Sequence, residues 1–148
     1  MTAIQRNLPT VSRYLLGAAF FVFGLNGFLH FLPQPPVPAA AGSFLGALAA
    51  SGYMFPLIKG TEVVAGALLL GNRYVTLALA LLAPVLVNIV AFHAFLAPAG
   101  LALPMALLAA ELLLAWSYRH AYASMLQVHV HAPVPAAVVR PAWRERAA

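Results

Sequence analysis

The sequence predicts an all-α integral membrane protein: a four-transmembrane-helix bundle with a short outer interfacial or re-entrant helix between helices 1 and 2. Three observations carry this expectation. Of the 148 residues, 64% are hydrophobic and only 7% are charged. Soluble domains carry roughly 25% charged residues, so a water-soluble globule of this composition would expose far too much apolar surface. The apolar residues fall into four runs of spanning length. The basic residues fall singly at the ends of those runs and in the C-terminal tail, not in a stripe, so the net charge of +5 reads as membrane orientation and not as affinity for nucleic acid.

The spans run over about 14–32, 55–70, 74–96 and 101–118. Each holds about 16–23 residues, enough for a hydrocarbon core of ~30 Å at ~1.5 Å per residue, the second only marginally. No water is available in that core, so backbone groups pair within each segment and helices are the expected form. Arg6 and Arg13 precede the first span, Arg73 lies between the second and third, and Arg119 closes the fourth. Residues 33–54 and 97–100 contain neither Lys nor Arg. The positive-inside rule then puts both termini in the cytoplasm of a bacterial inner membrane, with Tyr14, Tyr74, Trp116 and Tyr118 at the inner interface and Tyr53 at the outer one.

Residues 1–126 form one domain on this reading. The segment after the first span opens with Pro33, Pro35, Pro36 and Pro38, which bars a continuous helix there. Small residues follow from Ala39 to Ser51, including Gly42 and Gly46 in GxxxG spacing, and predict the short outer helix. Residues 127–148 mix Val, Pro, Ala and Arg without periodicity and read as a disordered cytoplasmic tail. The first apolar run is too long for a signal peptide, and the Ala39 to Ala41 triplet lies beyond the prolines, so cleavage is not expected.

Glu62 and Glu111 are two of only three acidic residues, and both sit inside spans. An ionisable group at that depth costs roughly 2.5–3.5 kcal/mol on insertion scales and is rarely present without a partner or a task. At about 100° per residue, Lys59, Glu62 and Gly66 share one face of the second span. Lys59 lies about one turn from the outer boundary and can snorkel. Glu62 lies deeper and either pairs with Lys59 or another helix, or carries a proton. Glu111 has no basic neighbour within one turn, so its partner is expected from another helix. Asn26 and His30 are spaced i, i+4, and Asn88 follows Pro84 by one turn. His93 is displaced about 140° from Asn88 around the helix, which calls for a kink or an outer-surface position.

By depth, Asn26, His30, Glu62, Asn88 and Glu111 converge in the outer half of the bundle, with Lys59 and His93 at its margin. These seven are the ligand-pocket candidates. The alternative is a hydrogen-bond network that only fixes helix packing, each bond worth about 1 kcal/mol or less. The first and third spans also end alike: Asn26 and His30 before Pro33, Asn88 and His93 before Pro98. Each is followed by a span with one Glu, which suggests two hairpins related by a pseudo-two-fold axis along the membrane normal.

With no cysteine, the chain alone builds no disulfide, zinc-thiolate site or Fe–S cluster. His30 and His93 have the placement of a bis-histidine haem pair, but no other haem signal accompanies them. His129 and His131 would hold a metal only weakly, so no metal is expected. Neither a phosphate loop nor a nucleophile elbow is present.

The run from Phe23 through Asn26, Gly27 and His30 to Pro33 resembles the first helix of DoxX-like membrane proteins. The run from Glu62 through Gly66 to Leu70 resembles the second-helix pattern of that family, and Pro84 to Asn88 with Phe92 and His93 resembles the third helix of one subgroup. The resemblance covers about 13–118 and implies a four-helix bundle in the bacterial inner membrane. Some relatives are subunits of thiosulfate:quinone oxidoreductase, and others associate with redox or stress-defence enzymes. A non-catalytic subunit or ligand-binding component of a quinone-linked system is therefore expected, with the bilayer and a redox enzyme or a second copy as partners. Quinone is the one cofactor the resemblance brings into view, while the lack of cysteine speaks against sulfur chemistry on this chain. A small transporter for a hydrophobic or weakly acidic metabolite, a purely structural membrane protein and an autonomous quinone-dependent oxidoreductase are the alternatives.

Overall fold

In a computed structural model that describes residues 3–33 and 36–123, the chain is helical, with no strand among the described residues. The elements are α1 (Ala3–Leu29), α2 (Ala39–Ala50), α3 (Met54–Leu70), α4 (Val75–Leu96) and α5 (Ala102–Ser117), with short 3-10 turns at Pro98–Gly100 and Arg119–Tyr122. The tail expected to be disordered, with His129 and His131, lies outside the described residues.

Two helices are long and apolar enough to cross a membrane: α1 from Asn7 to Leu29, and α4. A third span exists if α2 and α3, bent by 91° at their junction, count as one broken span. Only 33% and 28% of the apolar windows of α1 and α4 are buried within the molecule. Leu15, Val64, Val87, Phe95 and Leu112 are all more than half exposed around the outside. An apolar perimeter of this extent is what lipid, not water, accommodates.

Helix ends follow from local chemistry. The first span was expected to reach residue 32, but α1 stops at Leu29 because His30 adopts the left-handed conformation (φ 52°). Its N–H bonds the Asn26 carbonyl at 2.9 Å, and the Leu32 N–H donates to Asn26 Oδ1 at 2.7 Å. Main chain and side chain of Asn26 thereby satisfy two amides at the helix end. At the end of α3, Arg73 N–H bonds Leu68 O at 2.9 Å and Asn72 N–H bonds Leu69 O at 3.2 Å. With Asn72 left-handed (φ 52°), this is a Schellman stop. Pro56 and Pro104 sit in the first turns of α3 and α5, where an amide hydrogen is not needed.

The four longer helices pack as a ring in which α1 and α4 each contact both α3 and α5. Glycines set the closest seam. A Cβ on Gly66 would lie 2.5 Å from Phe21 N and 2.9 Å from Gly17 O, so α1 and α3 meet backbone to backbone there. A Cβ on Gly24 would meet Val63 at 2.9 Å. Leu16, Phe20, Leu69, Leu79, Leu82, Leu86 and Leu114 form an apolar core that fills the ring away from α2, with Phe20 at its border with the space beneath α2. At that end Arg13 is buried, and its Nη1 donates to the Leu69 carbonyl and, at 3.4 Å, to that of Leu70. Its guanidinium stacks on Tyr14, 4.3 Å from the ring centroid.

Candidate functional site

The opposite end, beneath α2, is hollow. A cavity of about 620 Å³ lies among the C-terminal halves of α1 and α4, the N-terminal halves of α3 and α5, and the underside of α2. Most of its wall is apolar, from Phe20, Phe23, Phe44, Phe55, Phe92 and Leu107. Against that wall stand Asn26, Lys59, Glu62, Asn88 and His93, five of the seven residues singled out in the sequence. A large apolar concavity with a few convergent polar groups is the usual form of a small-molecule site.

Lys59 and Glu62 form its charged pair. Lys59 Nζ donates to Glu62 Oε1 at 3.0 Å and Oε2 at 2.9 Å across one turn of α3. The Glu62 side chain is 2% exposed and that of Lys59 20%. Lys59 therefore does not snorkel away. It keeps its ammonium on the cavity wall, 5.8 Å from the Phe55 ring centroid. Its aliphatic stem lies where a Cβ on Gly27 would be, 2.5 Å from Cγ and Cδ. The absence of a side chain at Gly27 is what lets the lysine run along α1.

The other polar groups have defined roles. Asn26 spends its Oδ1 on the Leu32 amide, so the group left for the cavity is its NH2, a donor. His93 Nδ1 lies 2.8 Å from the Ile89 carbonyl. A carbonyl can only accept, so Nδ1 carries the proton and Nε2 of the neutral ring is an acceptor. The ring fits against Gly100, where a Cβ would lie 2.7 Å from Cδ2, and it meets Phe92 edge-on. Asn88 stands at the cavity's edge and is itself exposed on the outer surface of α4. The 140° between Asn88 and His93 is spanned by the width of the cavity.

Two candidates fall elsewhere. His30 is exposed and is not part of the cavity wall; its work is to end α1. Glu111 is 5% exposed but lies one turn beyond Leu107, outside the cavity. Neither of its carboxylate oxygens has a hydrogen-bond partner among the described residues, so the partner expected from another helix is not found there. Its charge is felt by Tyr122, whose hydroxyl donates to Thr76 O at 3.1 Å. The burial of Arg13 is not legible in its place before an apolar run, which marks it only as an orientation charge. Its position one turn before Gly17, on the close seam, was the available signal that it reaches the end of α3.

A helical chain with an apolar perimeter and two or three helices able to cross a bilayer has the character of an all-α membrane protein, and it carries a polar-edged cavity at one end. Compared with known proteins, it matches no family, and neither a curated protein nor a solved structure is detectably similar to it.

Proposed function

We propose that this is a DoxX-like protein of the bacterial inner membrane, and that it serves a quinone-linked redox system as a non-catalytic ligand-binding component. The cavity carries this reading: a space of about 620 Å³ whose mostly apolar wall holds an ion pair and the donors and acceptor of Asn26, Asn88 and His93. In this topology α1, α3, α4 and α5 each cross the membrane, and α2 covers the outer mouth. The α3 and α5 helices are about 25 Å long at ~1.5 Å per residue, short of the ~30 Å core, and flanking residues such as Tyr53 and Tyr118 complete them.

The residues fit a quinone. Lys59 and the Asn26 NH2 would donate to a carbonyl oxygen, and the aromatic wall would face the ring. A quinone bound there would carry two electrons and two protons, supplied by a partner enzyme. Transport is less well supported, because Leu69, Leu82 and Leu114, fully buried, fill the ring below the cavity.

The test is equilibrium binding of a tritiated, fully ring-substituted decyl-benzoquinone to the full chain in detergent. Saturable 1:1 binding is expected, weakened at least about tenfold in the neutralised double variant Lys59→Met/Glu62→Gln, a loss of about 1.4 kcal/mol. Absence of saturable binding to the unmodified chain would overturn the proposal.

A further inference from the structure

We infer that the cavity is filled sideways from the lipid, through a doorway between α2 and α4, by an amphiphile whose polar head reaches Lys59 while its apolar tail stays in a groove on the outside of α4. This rests on the ligand-binding reading above and adds the route and the shape of the ligand. A second hollow of about 590 Å³ runs along the exposed face of α4, against Phe44 of α2. It shares Phe44, Pro84, Asn88 and Phe92 with the inner cavity. The two spaces thus border one another at residues that line both.

The shared residues have the properties of a doorway. Phe44 and Phe92 face each other with ring centroids 5.9 Å apart, tilted by 39°, one from each helix. Rotation of either ring about its side-chain bonds widens the gap without moving a helix axis. Asn88 is exposed on the perimeter of α4, where an amide facing acyl chains alone would be costly. As a step between the groove and the cavity, it gives a passing polar head a hydrogen-bonding partner. Beyond the doorway the groove is apolar, lined by Val87, Ala91, Phe95 and Leu96, and Phe95 is 84% exposed.

The α2 helix suits this use because it is lightly seated. Of its twelve residues only Ala41 is buried, and nothing lies within 4 Å of a Cβ placed on Gly46. Phe44 is its large side chain at the doorway. The polar end of the site is fixed instead by α3, which Gly17, Gly24 and Gly66 lock against α1. A rigid wall with the charged pair faces a light cover with one aromatic ring. The ligand this fits has an oxygen acceptor at one end, for the Lys59 ammonium and the Asn26 NH2, and a flat or flexible apolar body.

The chain has no cysteine, so Phe44→Cys/Phe92→Cys introduces two thiols alone. In phosphatidylcholine vesicles, the double variant is loaded with the tritiated decyl-benzoquinone, bridged with a short bis-methanethiosulfonate, and chased with unlabelled probe. Bridging is expected to slow exchange at least tenfold, reductant to restore it, and each single variant treated alike to exchange at its untreated rate. Equal exchange in bridged and open protein, with the bridge verified by mass, would refute the lateral route while leaving the binding reading intact. Failure of the two thiols to bridge, although each reacts singly, refutes the doorway itself. No saturable binding to the unmodified chain removes both.

Discussion

Removing the ammonium of Lys59 while keeping its stem isolates the energetic role of the pair. Lys59→Met preserves a straight apolar chain along Gly27, where the stem now packs. It leaves Glu62, 2% exposed, without either hydrogen bond. Breaking a buried pair by deleting one partner costs about 3–5 kcal/mol, because the remaining charge is uncompensated. Glu62→Gln should cost less, about 1–3 kcal/mol, since the Gln oxygen still accepts one ammonium hydrogen and Lys59 keeps access to the cavity. The double variant has no charge to strand and should fall within about 1 kcal/mol of the original, giving a coupling of at least about 3 kcal/mol. Reversible unfolding in mixed SDS micelles, followed by circular dichroism, measures all four corners of the cycle. If Lys59→Met costs less than about 1 kcal/mol, the value of an exposed pair, the carboxylate is not held in a dry wall and the picture of the cavity fails. A double variant that is as stable as the original and binds the quinone equally well would show instead that the pair serves packing alone.

Gly66→Ala and Gly46→Ala form a matched pair: the first drives a methyl into the Phe21 and Gly17 backbones and should cost several kcal/mol, while the second meets open space and should be neutral or stabilising by up to about 1 kcal/mol. Unfolding midpoints decide, and equal effects would contradict the close seam. Arg13→Met removes the charged donors from the last carbonyls of α3 and should cost about 1.5–3 kcal/mol, with amide exchange rising first around Gly71 to Arg73; an unchanged midpoint would refute the cap. Burial, and secondarily the charge of Glu111, pushes the Tyr122 phenol above its ordinary value. The stability this lends is therefore fully present below about pH 10 and lost as pH rises through the raised value. In a 295 nm titration the component missing from Tyr122→Phe should ionise late, and Glu111→Gln should bring it earlier; no movement would separate the two groups. Glu111→Met replaces a buried carboxyl that lacks a partner among the described residues, so it should hold or raise the midpoint, and a clear fall would reveal a partner supplied from elsewhere.

Periodicity and hydropathy located the helices well because each is limited by a feature written in the chain. The expected spans at 55–70, 74–96 and 101–118 agree with α3, α4 and α5 to within one residue at either end, and the small-residue stretch is α2. The start of α1 was not legible, since Arg13 reads as a boundary when only depth is considered, yet it is an interior helical residue whose charge is satisfied by another helix. The Lys59–Glu62 pair was legible because i, i+3 spacing is local. His30 and Glu111 went astray for different reasons. Depth counting assumed that the helix continued through His30, while the Asn26 cap ends it. For Glu111 depth was a poor guide because membership of a cavity also depends on how far it extends along the bundle, which is set by tertiary packing around Leu107 and Leu114.

The division of the molecule into a filled end and a hollow end follows from how helices associate in lipid. Acyl chains are as apolar as leucine, so burying leucine against leucine gains little over leaving it in the bilayer, and close packing and hydrogen bonding must supply the cohesion. Here cohesion is concentrated on one seam and at one end: the glycines between α1 and α3, the Arg13 cap, and the leucine core between α1, α3, α4 and α5. A firm end of this kind lets the other end stay open without loss of the fold. The pair on α3 sits where these two regions meet, with the Glu62 carboxylate buried and the Lys59 ammonium turned to the hollow. A structural pair could have been satisfied anywhere along the seam. On the ligand-binding proposal, its place at the floor of the end that packing leaves empty makes it the point a polar head would reach.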